Sequence, residues 1–75
     1  MSTPESTLLQ IIQEAVPGVE LEPAADGDRA LSSLGIDSLD KMSILLAVQE
    51  KWNTEFTEEE IATLRTFNDI VRKVS

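Results

Sequence analysis

Apolar residues recur at helical spacing in four separate stretches of this chain, and none shows the strict alternation of a half-buried strand. In the first stretch Leu8, Ile12, Ala15 and Val16 share a face. Thr3 is placed to cap it, Pro4 suits the first helical position, and Pro17-Gly18 ends it. The spacing predicts a helix from about Pro4 to Val16. A second helix is predicted from Ser38 to about Trp52 and carries more apolar surface than one core contact needs. Ile44, Leu45, Val48 and Trp52 form one stripe, expected in the core; Leu39, Met42 and Leu46 form a neighbouring one. That second stripe starts beside Ser38 and is framed by Asp40, Ser43 and Glu50. Two readings stay open for it: burial, with Met42 filling a gap between helices, or partial exposure as a hydrophobic docking strip.

The third stretch opens with a capping box of Thr57 and Glu60, with Phe56 and Ile61 in hydrophobic-staple positions, and predicts a short helix ending near Leu64. Its three successive glutamates suit a positive helix start and need no catalytic explanation. Thr66 and Asp69 repeat the capping pattern ahead of a final helix that buries Phe67, Ile70, Val71 and Val74, with Arg72 and Lys73 at its C-terminal end. Between the first two helices, Pro17 to Gly35 is rich in Pro, Gly, Ala and Asp, with Val19, Leu21, Leu31 and Leu34 as isolated anchors, and is expected to be a long loop. Asp26-Gly27-Asp28 lacks the other ligands of a calcium loop and reads as a turn. The expected architecture is all-α: one domain over residues 1–75, a small four-helix bundle with a long loop between helices one and two and a short third helix.

Fourteen acidic residues against six basic ones, with no histidine, give a formal charge of −8. Such a surface repels nucleic-acid phosphates and anionic lipid heads and attracts basic patches on other proteins. Neither nucleic acid nor membrane is therefore expected as a partner. The longest apolar run, Ile44 to Val48, is far too short to cross a bilayer, and Met1 to Glu5 has neither a basic nor an apolar leader segment. The absence of cysteine rules out disulfides and is compatible with a reducing compartment. A soluble cytoplasmic monomer is expected. Enzyme chemistry finds no footing: no histidine can activate a serine, nothing indicates a pocket that would tune Asp37 and Asp40 as paired carboxylates, and there is neither a Cys/His metal cluster nor a Gly-rich phosphate loop.

The chemistry concentrates in Leu34-Gly35-Ile36-Asp37-Ser38-Leu39-Asp40. Asp37 has an N-cap side chain, Asp40 stands in the capping-box position, and Ser38 becomes the first helical residue. Its hydroxyl would lie beside unsatisfied backbone N–H groups at the positive end of a helix, an environment suited to an attached phosphate diester. Gly35 supplies permissive backbone for a tight approach at this corner.

This run closely resembles the Asp-Ser-Leu attachment motif of acyl carrier proteins, and the resemblance continues without a gap through Leu46, Trp52, Phe56, Glu60, Thr66, Phe67 and Ile70. It is most specific from Leu31 to Trp52, and Gly-Ile-Asp-Ser-Leu looks more like acyl carriers than peptidyl carriers. The resemblance implies that Ser38 receives 4'-phosphopantetheine from coenzyme A through a phosphopantetheinyl transferase, with Asp37 matching the residue that assists Mg²⁺ in that encounter. It also implies docking through Leu39, Asp40, Met42, Leu46 and Glu50, acyl cargo held as thioesters, and partners such as an acyltransferase or acyl-loading ligase and a ketosynthase. The arm's thiol supplies the sulfur chemistry that a cysteine-free chain lacks. Ser43 and Gln49 stand where fatty-acid carriers commonly have glutamate, and Lys41 and Lys51 add positive charge to the same helix. A less acidic docking face leans the expectation towards specialised metabolism, a polyketide or aminoacyl-primed pathway. A housekeeping fatty-acid carrier and an unmodified helical adaptor are the alternatives.

Overall fold

Helix α1, Pro4–Ala15, starts where Thr3 Oγ1 accepts the amide of Ser6 at 3.1 Å, and it buries Leu8 and Ile12, one turn apart, completely. The computed structural model describes residues 3–75; Met1 and Ser2, part of the start read above for a leader, lie outside the described residues. Three further helices occupy the predicted stretches: α3, Ser38–Lys51; α4, Glu58–Thr63; and α5, Phe67–Val74. The described residues contain no strand, only an isolated bridge between Ala30 and Thr66.

The segment expected to be a long loop is instead partly helical. It holds a single turn, α2, at Pro23–Asp26, and a 3₁₀ turn at Leu31–Leu34. Pro23 opens α2 with a preset φ, and the Asp26 carboxylate reaches back to accept the amide of Glu22 at 3.0 Å. That hydrogen bond and the neighbouring Arg29 guanidinium hold the Asp26 carboxyl below its ordinary range. Leu21 and Leu31 then enter the core.

Two long-range attachments fix this crossover. The amide of Leu31 donates to the carbonyl of Arg65 at 2.9 Å, and Asn68 donates its backbone amide to Gly27 O and its side-chain amide to Asp28 Oδ1, both at 2.9 Å. Of the turn expected at Asp26-Gly27-Asp28, only Gly27 and Asp28 form one, Asp26 being the last residue of α2, and the glycine there serves close packing. A Cβ at Gly27 would lie 2.6 Å from Pro23 O and 2.7 Å from Asn68 Nδ2.

The core lies where α1 packs against α3 and α5. Ile44, Leu45 and Val48 of α3 and Phe67 and Ile70 of α5 are fully buried there, while Trp52 closes the edge half-buried. Each such side chain contributes roughly 1.5–3 kcal/mol on burial. Helix α4 buries no residue completely. Polar contacts compensate: the Thr57–Glu60 capping box closes in both directions, Glu60 pairs with Lys73 of α5, and Lys41 Nζ donates to Ile61 O at 3.1 Å. Lys73 and the Thr57 amide hold the Glu60 carboxyl below its usual range. At α5, partial burial raises the Asp69 carboxyl, but hydrogen bonds from the Arg65 and Thr66 amides, the Thr66 hydroxyl and Arg72 together outweigh it and leave the group lowered.

Gly27→Ala should destabilise the protein by about 1–3 kcal/mol through overpacking against Pro23 O and the Asn68 side chain, lowering the thermal midpoint by about 4–8 °C per kcal/mol. A melt unchanged within error would show that Gly27 is not packed against Pro23 and Asn68 as described.

Candidate functional site

A left-handed corner places Ser38. The 3₁₀ turn Leu31–Leu34 ends at Gly35, with φ 87° and ψ 12°, and the amide of Ile36 folds back to Leu31 O at 3.2 Å. This reversal drives Ile36 into the core at 2% exposure, so that the next residue begins a helix pointing away. Gly35 was expected to permit a close approach, but a Cβ there would meet nothing within 4 Å. What requires glycine is the positive φ, which costs an ordinary residue about 1–2 kcal/mol.

Asp37 is the N-cap of α3, and its Oδ1 accepts the amide of Asp40 at 2.8 Å. The reciprocal half of a capping box, present at Thr57/Glu60 and Thr66/Asp69, is not formed here. Ser38 is the first helical residue, with its side chain exposed. The amides of Ser38 and Leu39 precede any intrahelical acceptor and leave the helix start electropositive. Beside the hydroxyl lies a groove of about 260 Å³ between Leu31, Ile36, Ser38, Lys41 and Arg65.

The two stripes of α3 part as the helix turns. Ile44, Leu45 and Val48 are inside, whereas Leu39, Met42 and Leu46 are 78%, 42% and 59% exposed. Asp40 is half-buried at the start of this strip. Glu50 stands at its far end, exposed, beside an open cleft of about 580 Å³ that it shares with Leu46, Gln49, Asn53 and Thr54. Twelve residues of helix place Glu50 about 18 Å along the axis from Ser38.

Two α3 residues read from sequence only as charge differences have structural duties. Gln49 donates to Leu45 O at 3.1 Å and accepts the amide of Phe56 at 2.9 Å, tying the loop after α3 to the helix. Lys41 turns its ammonium towards α4. Arg65 entered no sequence expectation, because long-range contacts, the Leu31–Arg65 backbone hydrogen bond among them, bring it to the Ser38 groove.

The donor chemistry fits a phosphate ester. An exposed alcohol stands on the first turn of a 14-residue helix, its neighbour Asp37 occupied as a cap and open groove space beside it. Fold and site together define a small all-α domain that presents an exposed alcohol at a helix start. The family model described as "Phosphopantetheine attachment site" matches residues 6–74. A protein named "Acyl carrier protein" from Wolinella succinogenes is 34% identical over 56 residues, which cover 75% of this chain and 74% of that protein. The chain belongs to the acyl carrier protein family, whose members carry a 4'-phosphopantetheine group, serve partner enzymes such as transferases and synthases, and are not enzymes themselves. Among the described residues no helix is long and apolar enough to cross a membrane.

Removing the cap and removing the hydroxyl should have different effects on stability. Asp37→Ala is expected to cost about 0.5–2 kcal/mol through the lost Asp40 amide bond, and Ser38→Ala to stay within about 0.5 kcal/mol. Urea unfolding of both variants measures the contrast; equal destabilisation would make Ser38 a structural residue.

Proposed function

We propose that Ser38 is the attachment residue for 4'-phosphopantetheine and that the single domain over residues 1–75 acts in the cytoplasm as a carrier of acyl intermediates. The observation that supports this most directly is the exposed Ser38 hydroxyl at the start of α3, in a chain whose family is defined by phosphopantetheine attachment. In the transferase complex the Ser38 oxygen attacks the phosphorus of coenzyme A next to the pantetheine; the bond to the departing adenosine bisphosphate breaks, and the serine proton leaves to a base of the transferase. Asp37, whose Oδ1 accepts the Asp40 amide, would be the residue of this chain that assists the Mg²⁺ of that encounter. The attached arm supplies a thiol on which acyl groups travel as thioesters. What the bundle contributes is a rigid base for the tether, which raises the cargo's effective concentration at each docked enzyme.

Leu39, Met42 and Leu46, with Asp40 and Glu50, form the surface on which transferase, acyltransferase or loading ligase, and ketosynthase dock. An apolar strip with few acids depends on shape and burial more than on long-range attraction. The side chains of Lys41 and Gln49 are engaged within the bundle, so the face offers partners fewer charges than a glutamate-rich one. These features support a role in polyketide or related specialised biosynthesis, an aminoacyl starter included.

Incubation with coenzyme A, Mg²⁺ and a broad-specificity transferase should add one phosphopantetheinyl group to the wild type and none to Ser38→Ala, read by intact mass. A folded wild type that stays unmodified would leave only an unmodified adaptor. For the pathway, binding to fatty-acid enzymes across a salt series should be weak; tight, steeply salt-sensitive binding to those enzymes alone would assign a housekeeping fatty-acid carrier instead.

A further inference from the structure

The chain has only six cationic side chains against fourteen acidic ones, and their placement is uneven. Arg29, Arg72 and Lys73 are each paired with a carboxylate, from Asp26, Asp69 and Glu60 respectively. Among the described residues Lys41, Lys51 and Arg65 have no carboxylate partner, and two of these three, Lys41 and Arg65, line the groove beside Ser38.

We propose that this groove is an anion seat in which Arg65 and Lys41 hold the phosphodiester of the arm carried by Ser38, an inference that rests on the reading of Ser38 given above. The phosphorus is bonded to Ser38 Oγ, so the phosphate oxygens lie at the groove wherever the rest of the arm goes. Lys41 follows Ser38 by three residues on α3, the spacing that sets side chains on one helix face. Arg65 approaches from the α4–α5 connection on a backbone held at three points. Its carbonyl accepts from Leu31 at 2.9 Å, and its amide donates to Thr63 O at 3.1 Å and to Asp69 Oδ2 at 3.2 Å. The backbone is thus fixed and the exposed guanidinium is free to present its paired donors, a geometry matched to phosphate oxygens. Lys41 keeps one proton on Ile61 O and has two more to give.

The surroundings make these cations consequential. Leu31 and Ile36, at 3% and 2% exposure, form an apolar flank to the groove, which strengthens charge interactions beside it. Asp37 is the acid on the groove's lining, so a phosphate on the adjacent residue meets a like charge within a chain already at −8. The electropositive start of α3 favours the phosphate, and the two cations that line the groove offset the like charge of Asp37.

The test uses wild type, Arg65→Ala, Arg65→Lys, Lys41→Met and the control Lys51→Ala. Each is converted to completion with coenzyme A, Mg²⁺ and a broad-specificity transferase and checked by intact mass. On conversion, the Arg65 Nε–H resonance of the wild type should move, and its exchange with water should slow by about fivefold or more, as a charge-assisted hydrogen bond implies. The slowing should largely vanish near 1 M salt, where screening is short-ranged. The ³¹P resonance of the arm should shift in Arg65→Ala and Lys41→Met, less in Arg65→Lys, and not in Lys51→Ala. A wild type that gains mass while its Arg65 Nε–H signal and ³¹P resonance ignore these changes overturns the seat and leaves the Ser38 assignment standing. A folded wild type that gains no mass overturns both.

Discussion

The burial of Ile36 is the contact on which the rest of this structure depends. Two residues before Ser38, a side chain at 2% exposure pins the backbone to the core, and the left-handed Gly35 just ahead of it turns the chain so that this is possible. The residues directly after Ile36 then rise out of the interior, and Asp37 converts the exit into a helix start by taking the Asp40 amide. The hydroxyl of Ser38 is held outside by a hydrophobic contact beneath it and a cap beside it, with no need for side-chain hydrogen bonds of its own.

The same economy runs through the bundle. Among the described residues the core of twelve buried apolar side chains is small, and eight of them lie on α1, α3 and α5, which pack together. Little is left for α4, which polar contacts therefore hold: its capping box, the Glu60–Lys73 pair and the Lys41–Ile61 hydrogen bond. In the family to which this chain belongs, the carried group comes and goes at partner enzymes. A rigid three-helix frame with a polar-tethered fourth element next to the Ser38 groove suits that traffic, because polar tethers exchange for water at modest cost whereas buried contacts do not.

Much of this was legible in the sequence wherever the physics is local. Thr3, Asp37, Thr57 and Thr66 all cap as their types and positions indicate, and α1 and α3 end within a residue of the expected bounds. Periodicity likewise separated the buried Ile44, Leu45 and Val48 from the Leu39, Met42 and Leu46 strip, although only the packed structure shows the strip uncovered. Long-range contacts left no such trace. The crossover read as loop because α2 is a single turn, stabilised by Asp26 reaching back to Glu22 and by Gly27 meeting Asn68 some forty residues away. Arg65 has no local signature that sets it beside Ser38; contacts across the fold, the Leu31–Arg65 hydrogen bond and the neighbouring Ala30–Thr66 bridge among them, put it there. Gly35 was correctly singled out but for the wrong reason, since a close approach and a positive φ leave the same letter in the sequence.

The central proposal is that the corner at residues 35–37 presents the Ser38 hydroxyl for modification while the frame beneath stays unchanged. The most direct measurement is a residue-by-residue comparison of backbone amide resonances before and after phosphopantetheinylation. The account predicts changes confined to the stretch from Ala30 to Lys41 and to Ile61 through Thr66, with Leu8, Ile12, Val48 and Ile70 unmoved. Changes centred on another serine, such as Ser43 or Ser75, or spread through those core amides, would contradict it.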